Sequence, residues 1–450
     1  MRQRLLADRR IWFMAAFGFI SGLPLSLSGF TLRQWLTEAH VSLGAIGLTA
    51  NIGLAYTLKF LWAPLLDHVR PPRLLARFGQ RRGWLLAVEP VLALACLILA
   101  LSDAAATPWV TIAAAALIAL SSATQDIVID AWRIETFPQA MQGAAMAVYV
   151  WGYRVAMLVA GSGVIAGVDL LGWHGALMAV TVLAALAIPV TLAAPEPAVL
   201  RTLGAATGRV AARVRSAVVE PFRDFLTRPG AGAILLYVAL FKVGEAMAGV
   251  MLPSLYRSLG FTRTAVAAAG PYSLGATIAG IALGGTLVAR LGLGRALIST
   301  GLIQTVAMGM YVWLAVSPGD HLLLYGTVVT EAFLQGLADA AFLTYLSGLC
   351  SLAHTATHYA LLSSLAALAS NTVGGLSGVL AAAVGWPRFY TVTMFAALPG
   401  IAVMLFIIRR YELPDDGRYA ATSAGRAAKP TESHASSTSE TLITSRQATL

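Results

Sequence analysis

Charged side chains stand in stretches of this chain that are otherwise apolar, and their spacing groups them. Asp126, Asp130 and Arg133 recur at i, i+4 and i+7, which puts them on one helical face. Glu331, Gln335 and Asp339 repeat every four residues and form a second polar stripe. Lys242 and Glu245 are three apart and share a face. Lys59 and Arg154 stand alone, Gln125 precedes Asp126, and Tyr153 precedes Arg154. A charge at the centre of a bilayer costs about 2.5–3.5 kcal/mol even on lenient insertion scales, so such groups must be paired or face water. Arginine and lysine in a wet cavity could grip an anionic solute, and Tyr153 could stack on it. A carboxylate there could take up and release a proton. The carrier is expected among Asp126, Glu245, Glu331 and Asp339. Asp126 comes first, because it and Asp130 cannot cheaply hold two negative charges on one face in a low-dielectric cavity. Two structural readings stand beside these. Lys242–Glu245 could be an internal pair that satisfies itself. Asp130, Arg133 and Glu135 could form a gate cluster that never meets the solute.

Composition says where such helices must lie. Of the 450 residues 58% are hydrophobic and 12% charged, with a mean hydropathy of +0.74. Soluble chains carry roughly a quarter charged residues, so no soluble fold could hide this surface. The net charge of +10 does not signal a nucleic-acid partner. There are three lysines, and the arginines fall between apolar segments, the footprint of membrane topology. Cys96 and Cys350 both lie in apolar runs and imply no disulfide framework. No metal-ligand cluster and no phosphate loop stands out, so neither metal nor cofactor is expected.

A membrane-crossing helix needs about 20 largely apolar residues. Twelve stretches qualify, near 12–35, 43–66, 84–101, 108–133, 144–168, 172–193, 231–256, 265–289, 295–316, 321–346, 357–384 and 386–408. Counting arginines orients them. With the N-terminus inside, nineteen arginines up to Arg410 fall on the cytoplasmic side, against Arg33, Arg257, Arg263 and Arg388 opposite. Both termini are therefore expected in the cytoplasm. The expected organisation is an all-α integral membrane protein with a six-helix bundle over 1–193 and another over 231–410. Between them 194–230 carries apolar residues every three to four positions and is expected to lie on the membrane as an amphipathic helix. The polar 411–450 reads as a disordered cytoplasmic tail. The halves echo one another: Leu36–Gly47 matches Leu259–Gly270, and Gln125/Asp130 match Gln335/Asp339. Such duplication suits a transporter with a site at the membrane midplane.

Several strings are similar to those of AmpG-type muropeptide permeases of the major facilitator superfamily. They are Gly22–Asp67, Ser122–Glu135, Gly152–Gly161, Pro221–Gly230 and Phe241–Gly249. The resemblance covers about 12–408. It implies twelve helices in two pseudo-symmetric halves, with helices one, four, seven and ten lining a central cavity. It implies proton-driven import of anhydromuropeptides (GlcNAc-anhydroMurNAc with or without stem peptide) through the bacterial inner membrane, for cell-wall recycling. A monomer that is not an enzyme is expected, its partners being the solute, protons and the lipid bilayer. Related importers of siderophores or acyl-CoA-like solutes share parts of these strings and remain the alternative. Glu245 departs from the family pattern, which has Asp after Lys-x-Gly. The superfamily's loop between helices two and three is stretched: Asp67 stands at a helix end, and Arg81 and Arg82 follow late. Asp67, Arg81 and Arg82 could form the charge clasp of a gate, with Arg133 and Glu135 at the nearby helix end, or the two arginines could simply be positive-inside charges.

Overall fold

The computed structural model describes residues 8–138, 141–197, 223, 225–349 and 355–411. The expected amphipathic linker falls mostly, and the tail almost wholly, outside them. Among the described residues there is no strand. The helices are α1 Arg9–Ser28, α2 Phe30–Glu38, α3 Leu43–Leu48, α4 Leu54–Leu58, α5 Ala63–His68, α6 Gln80–Leu101, α7 Pro108–Thr136, α8 Gln142–Leu158, α9 Val164–Ala185, α10 Ala187–Ala193, α11 Ala231–Leu240, α12 Val243–Ser258, α13 Arg263–Leu291, α14 Leu293–Ala307, α15 Gly309–Ala315, α16 His321–Gly348, α17 Thr355–Val384, α18 Trp386–Ala396 and α19 Leu398–Arg410.

Nine helical stretches among the described residues are long and apolar enough to cross a membrane. One of them, Ala145–Ala193, is 49 residues long and is broken at Gly172 (φ 69°), so it holds two of the expected stretches. Two others are not among the nine. The stretch 43–66 is chopped into α3, α4, α5 and short 3-10 turns, and α16 carries the Glu331/Gln335/Asp339 stripe. The expectation of an all-α membrane fold holds; among the described residues length and composition support nine apolar helical stretches.

The duplication expected from Leu36–Gly47 and Leu259–Gly270 is written in the backbone. After α2, Ala39 N bonds Trp35 O and Val41 N bonds Leu36 O; after α12, Leu259 N bonds Leu255 O and Phe261 N bonds Tyr256 O. The pivot residues His40 (φ 57°) and Gly260 (φ 82°) are both left-handed. Ser42 and Thr262 then cap the next helix, accepting from Ala45 N and Ala265 N, as N-caps do. The Gly-Trp turns at 172–173 and 385–386 form a second matched pair, both with positive φ at the glycine.

Packing differs between the two ends of the helices. At the end carrying Glu38 and Arg263, one apolar core runs through both halves, joining Leu27, Trp35 and Val168 to Met251, Phe261 and Tyr390. At the other end it divides. Phe17, Leu85 and Trp132 belong to one cluster, and Tyr237, Phe342 and Met404 to another. The halves meet through small residues at the shared end: a Cβ on Gly47 would approach Gly378 N to 2.7 Å, and one on Gly270 would collide with Ser162 Oγ. Within the halves, Gly18 and Gly22 bring α1 against the backbone of Tyr149 and Tyr153, and Gly280 and Gly284 bring α13 against Phe333 and Leu337. Small residues allow such backbone approach in membrane bundles.

Candidate functional site

The first half gathers a polar cluster around Asp126. Ser21 of α1 donates a hydrogen bond to its carboxylate, and Ser21 Oγ lies 2.7 Å from the Tyr149 hydroxyl of α8. Lys59 Nζ stands 3.9 Å from Asp126 Oδ2. Lys59 opens the 3-10 turn Lys59–Leu61, where the second apolar stretch loses its α-helical form, and this break turns its side chain toward α7. Tyr149 and Tyr153 share a face of α8, with ring centroids 6.1 Å apart. Asp130 does not join this cluster: it is half-exposed and pairs with Arg133 at 3.5 Å. Among the described residues Arg154 makes neither an ion pair nor a side-chain hydrogen bond.

The second half gathers the other cluster. Lys242 lies between α11 and α12, where the helix is interrupted, and its φ and ψ are −103° and 5°. From there Nζ reaches Asp339 Oδ1 at 2.6 Å and Glu245 Oε1 at 3.9 Å. Gln335 donates its amide to Glu245. Glu331 lies beside the Tyr311 hydroxyl. The stripe on α16 and the pair on α12 therefore meet: Glu245, Glu331 and Asp339 surround Lys242, the one cation of this cluster among the described residues. That composition exceeds a self-satisfied pair, since a third and a fourth charged group crowd the site. Interrupted helices that present charge inside a bundle are a recurring device of transporters.

The expected gate residues are placed differently from one another. Arg81 is buried and holds Glu135 with two hydrogen bonds, at 2.9 and 2.6 Å. The backbone N–H groups of Arg81 and Arg82 donate to the two carboxylate oxygens of Glu196, both at 2.9 Å, where a helix N-terminus favours an anion. The Arg82 guanidinium donates to the carbonyls of Thr191 and Leu192. All these contacts lie within the first half and tie α6 to the ends of α7 and α10. The side chain of Asp67 falls outside the described set.

Several polar residues escaped the sequence reading. Glu89, 0% exposed, accepts from Thr191 Oγ1 at 2.6 Å and faces the Gln125 amide. Ser21 and Tyr149 complete the surroundings of Asp126. At the shared end, Arg263 of the second half pairs with Glu38 at 2.7 Å and with Asp169 at 3.0 Å. Trp173 Nε1 and Gln34 Nε2 also donate to Glu38, at 2.9 and 3.0 Å. Only the i, i+4 spacing of Gln34 and Glu38 hinted at this clasp.

Residues 14–370 match the family described as Major Facilitator Superfamily. The chain is 38% identical over 407 residues to the anhydromuropeptide permease of Escherichia coli (strain K12), covering 89% of this chain and 80% of that one. It is 31% identical over 410 residues to putative transporter AmpG 4 of Rickettsia conorii, covering 90% and 98%. Among solved structures, a D-xylose-proton symporter superposes with a TM-score of 0.64 at 14% identity, covering 90% of this chain and 98% of that one. A POT family peptide transporter gives 0.64 at 15%, covering 91% and 98%. The solved structures share the fold. The chain is a multi-pass membrane transporter and belongs to the AmpG-type permeases of the major facilitator superfamily.

Proposed function

We propose that this chain imports anhydromuropeptides, GlcNAc-anhydroMurNAc with or without stem peptide, from the periplasm to the cytoplasm for peptidoglycan recycling. The observation that carries the reading is the 38% identity to the Escherichia coli anhydromuropeptide permease over most of both chains. The two clusters suit a solute with sugar hydroxyls and carboxylates, offering Lys242 as a cation and Asp126, Glu245 and Gln335 as acceptors, with Arg154 standing beside Tyr153 as a further cation. Uptake is driven by protons, one of which rides on a carboxylate of these clusters, Asp126 first. The protein works as a monomer, makes and breaks no covalent bond, and needs no cofactor. Deleting the gene should make the cell shed anhydromuropeptides into the medium. A deletion strain that sheds none and instead loses growth on a siderophore would assign the chain to the related importers.

The reading includes twelve membrane crossings in the inner membrane, a six-helix bundle over 1–193 and another over 231–410, and both termini in the cytoplasm. The arginine asymmetry supports this orientation. So does the bond from Arg228 Nη1 to Leu349 O at 2.7 Å, which keeps the start of the seventh crossing and the end of the tenth on one side. Reporter fusions after Arg228 and after Arg410 should both report the cytoplasm; a periplasmic signal at either would overturn the topology. With that orientation the shared apolar core and the Glu38–Arg263–Asp169 clasp lie at the periplasmic end, and the solute path opens to the cytoplasm.

A further inference from the structure

Helix α2 has two dissimilar sides. Thr31 and Trp35, four apart, face their own half: Thr31 Oγ1 donates to Ala160 O at 2.7 Å, and Trp35 stacks on Trp173 with centroids 5.7 Å apart. Arg33 and Thr37, also four apart, share the other side. Thr37 Oγ1 lies 2.9 Å from Ser254 Oγ of α12, so that side looks across to the second half. Arg33 therefore sits between the halves, one turn short of a contact that closes them. Helical side chains lean toward the N-terminus, and the Arg33 guanidinium lies back over Gly29: a Cβ placed there would stand 3.8 Å from Arg33 Nη2. Gly29 is the break between α1 and α2, with φ −112° and ψ −108°.

Arg33 Nε is buried without an acceptor. Among the described residues no carboxylate pairs with Arg33. A buried guanidinium nitrogen without an acceptor is costly, and the guanidinium's fork of donors matches a carboxylate. We propose that Arg33 forms a carboxylate subsite at the closed end of the solute path, where the stem peptide of a muropeptide binds. This rests on the muropeptide reading. When a stem peptide is attached, the sugar's own carboxyl is consumed in the amide bond, and the free carboxylates lie further out along the peptide. Only the longer solute then needs an anion site beyond the central clusters.

The test is equilibrium binding to the purified full chain of three probes: the peptide-free disaccharide, the peptide-bearing solute, and that solute with its peptide carboxylates converted to carboxamides. A charge-assisted bidentate pair corresponds to roughly ten- to hundredfold in affinity. The unmodified chain should prefer the carboxylate form over the carboxamide by about that factor. Arg33→Gln should narrow this preference at least roughly tenfold, and Arg33→Lys should recover part of it. All variants should bind the peptide-free disaccharide as the unmodified chain does, which also reports that they fold. An unchanged preference in Arg33→Gln, or no preference in the unmodified chain, overturns the subsite and leaves the muropeptide reading standing. If the unmodified chain binds none of the three probes, the muropeptide reading falls and the subsite with it.

Discussion

Asp126→Asn is expected to abolish accumulation of solute against its gradient while sparing exchange of labelled for unlabelled solute. The carboxylate accepts from Ser21, faces Lys59 at 3.9 Å, and is linked through Ser21 to Tyr149. Four segments, α1, α7, α8 and the broken stretch around Lys59, thus converge on one acid. Protonation would remove the attraction to Lys59 and turn an acceptor into a donor, so gain and loss of a proton must rearrange these contacts. That coupling is what a carrier requires. Asparagine keeps the shape and most of the hydrogen bonding but cannot cycle a proton. If accumulation survives the substitution, the carrier lies elsewhere, with Glu245, Glu331 and Asp339 around Lys242 next in line. If exchange is lost as well, Asp126 is a solute ligand or a structural residue.

Arg154→Ala is expected to lower transport by roughly 30- to 150-fold, the equivalent of about 2–3 kcal/mol for a hydrogen-bonded charge. Arg154 has no ion-pair partner among the described residues, although a membrane-embedded cation is expected to find one. It stands next to Tyr153, whose ring lies beside the Tyr149 that bonds Ser21, so a solute held at these tyrosines would be within its neighbourhood. Lysine should restore only part of the loss, because an ammonium acts as a point charge whereas guanidinium holds a carboxylate with two parallel bonds. Normal transport by a well-expressed Arg154→Ala variant would remove this residue from the binding site.

The residues that were legible in the sequence announced themselves by period. Glu331, Gln335 and Asp339 repeat every four residues, and Lys242 and Glu245 every three, so each set could be assigned to a face without a structure. That the two faces meet was implied only by the family resemblance, and the Lys242–Asp339 bond shows the meeting. Asp126 was legible too, but the partner expected for it was Asp130. Helical spacing allows that pairing. Asp130 instead turns to Arg133 and water, while Asp126 turns to Ser21 and Lys59, residues far away along the chain. A serine inside an apolar run carries no periodic signal, and Ser21 became visible only through packing. The turns at His40 and Gly260 were legible as an echo of letters; their matched left-handed backbones are the physical reason for the echo. Glu89 was passed over because it lies near a helix start, beside Pro90. Its burial is decided by α10, which returns from a hundred residues away to place Thr191 against it.

A proton gradient should drive the solute inward. The most direct measurement places the purified chain in sealed liposomes, acidic outside, and follows labelled GlcNAc-anhydroMurNAc. One pH unit is worth about 1.4 kcal/mol per proton. At one proton per solute the internal concentration should therefore rise to roughly ten times the external one, and a protonophore should collapse it. Uptake that stops at equal concentrations, with or without the gradient, would contradict the account.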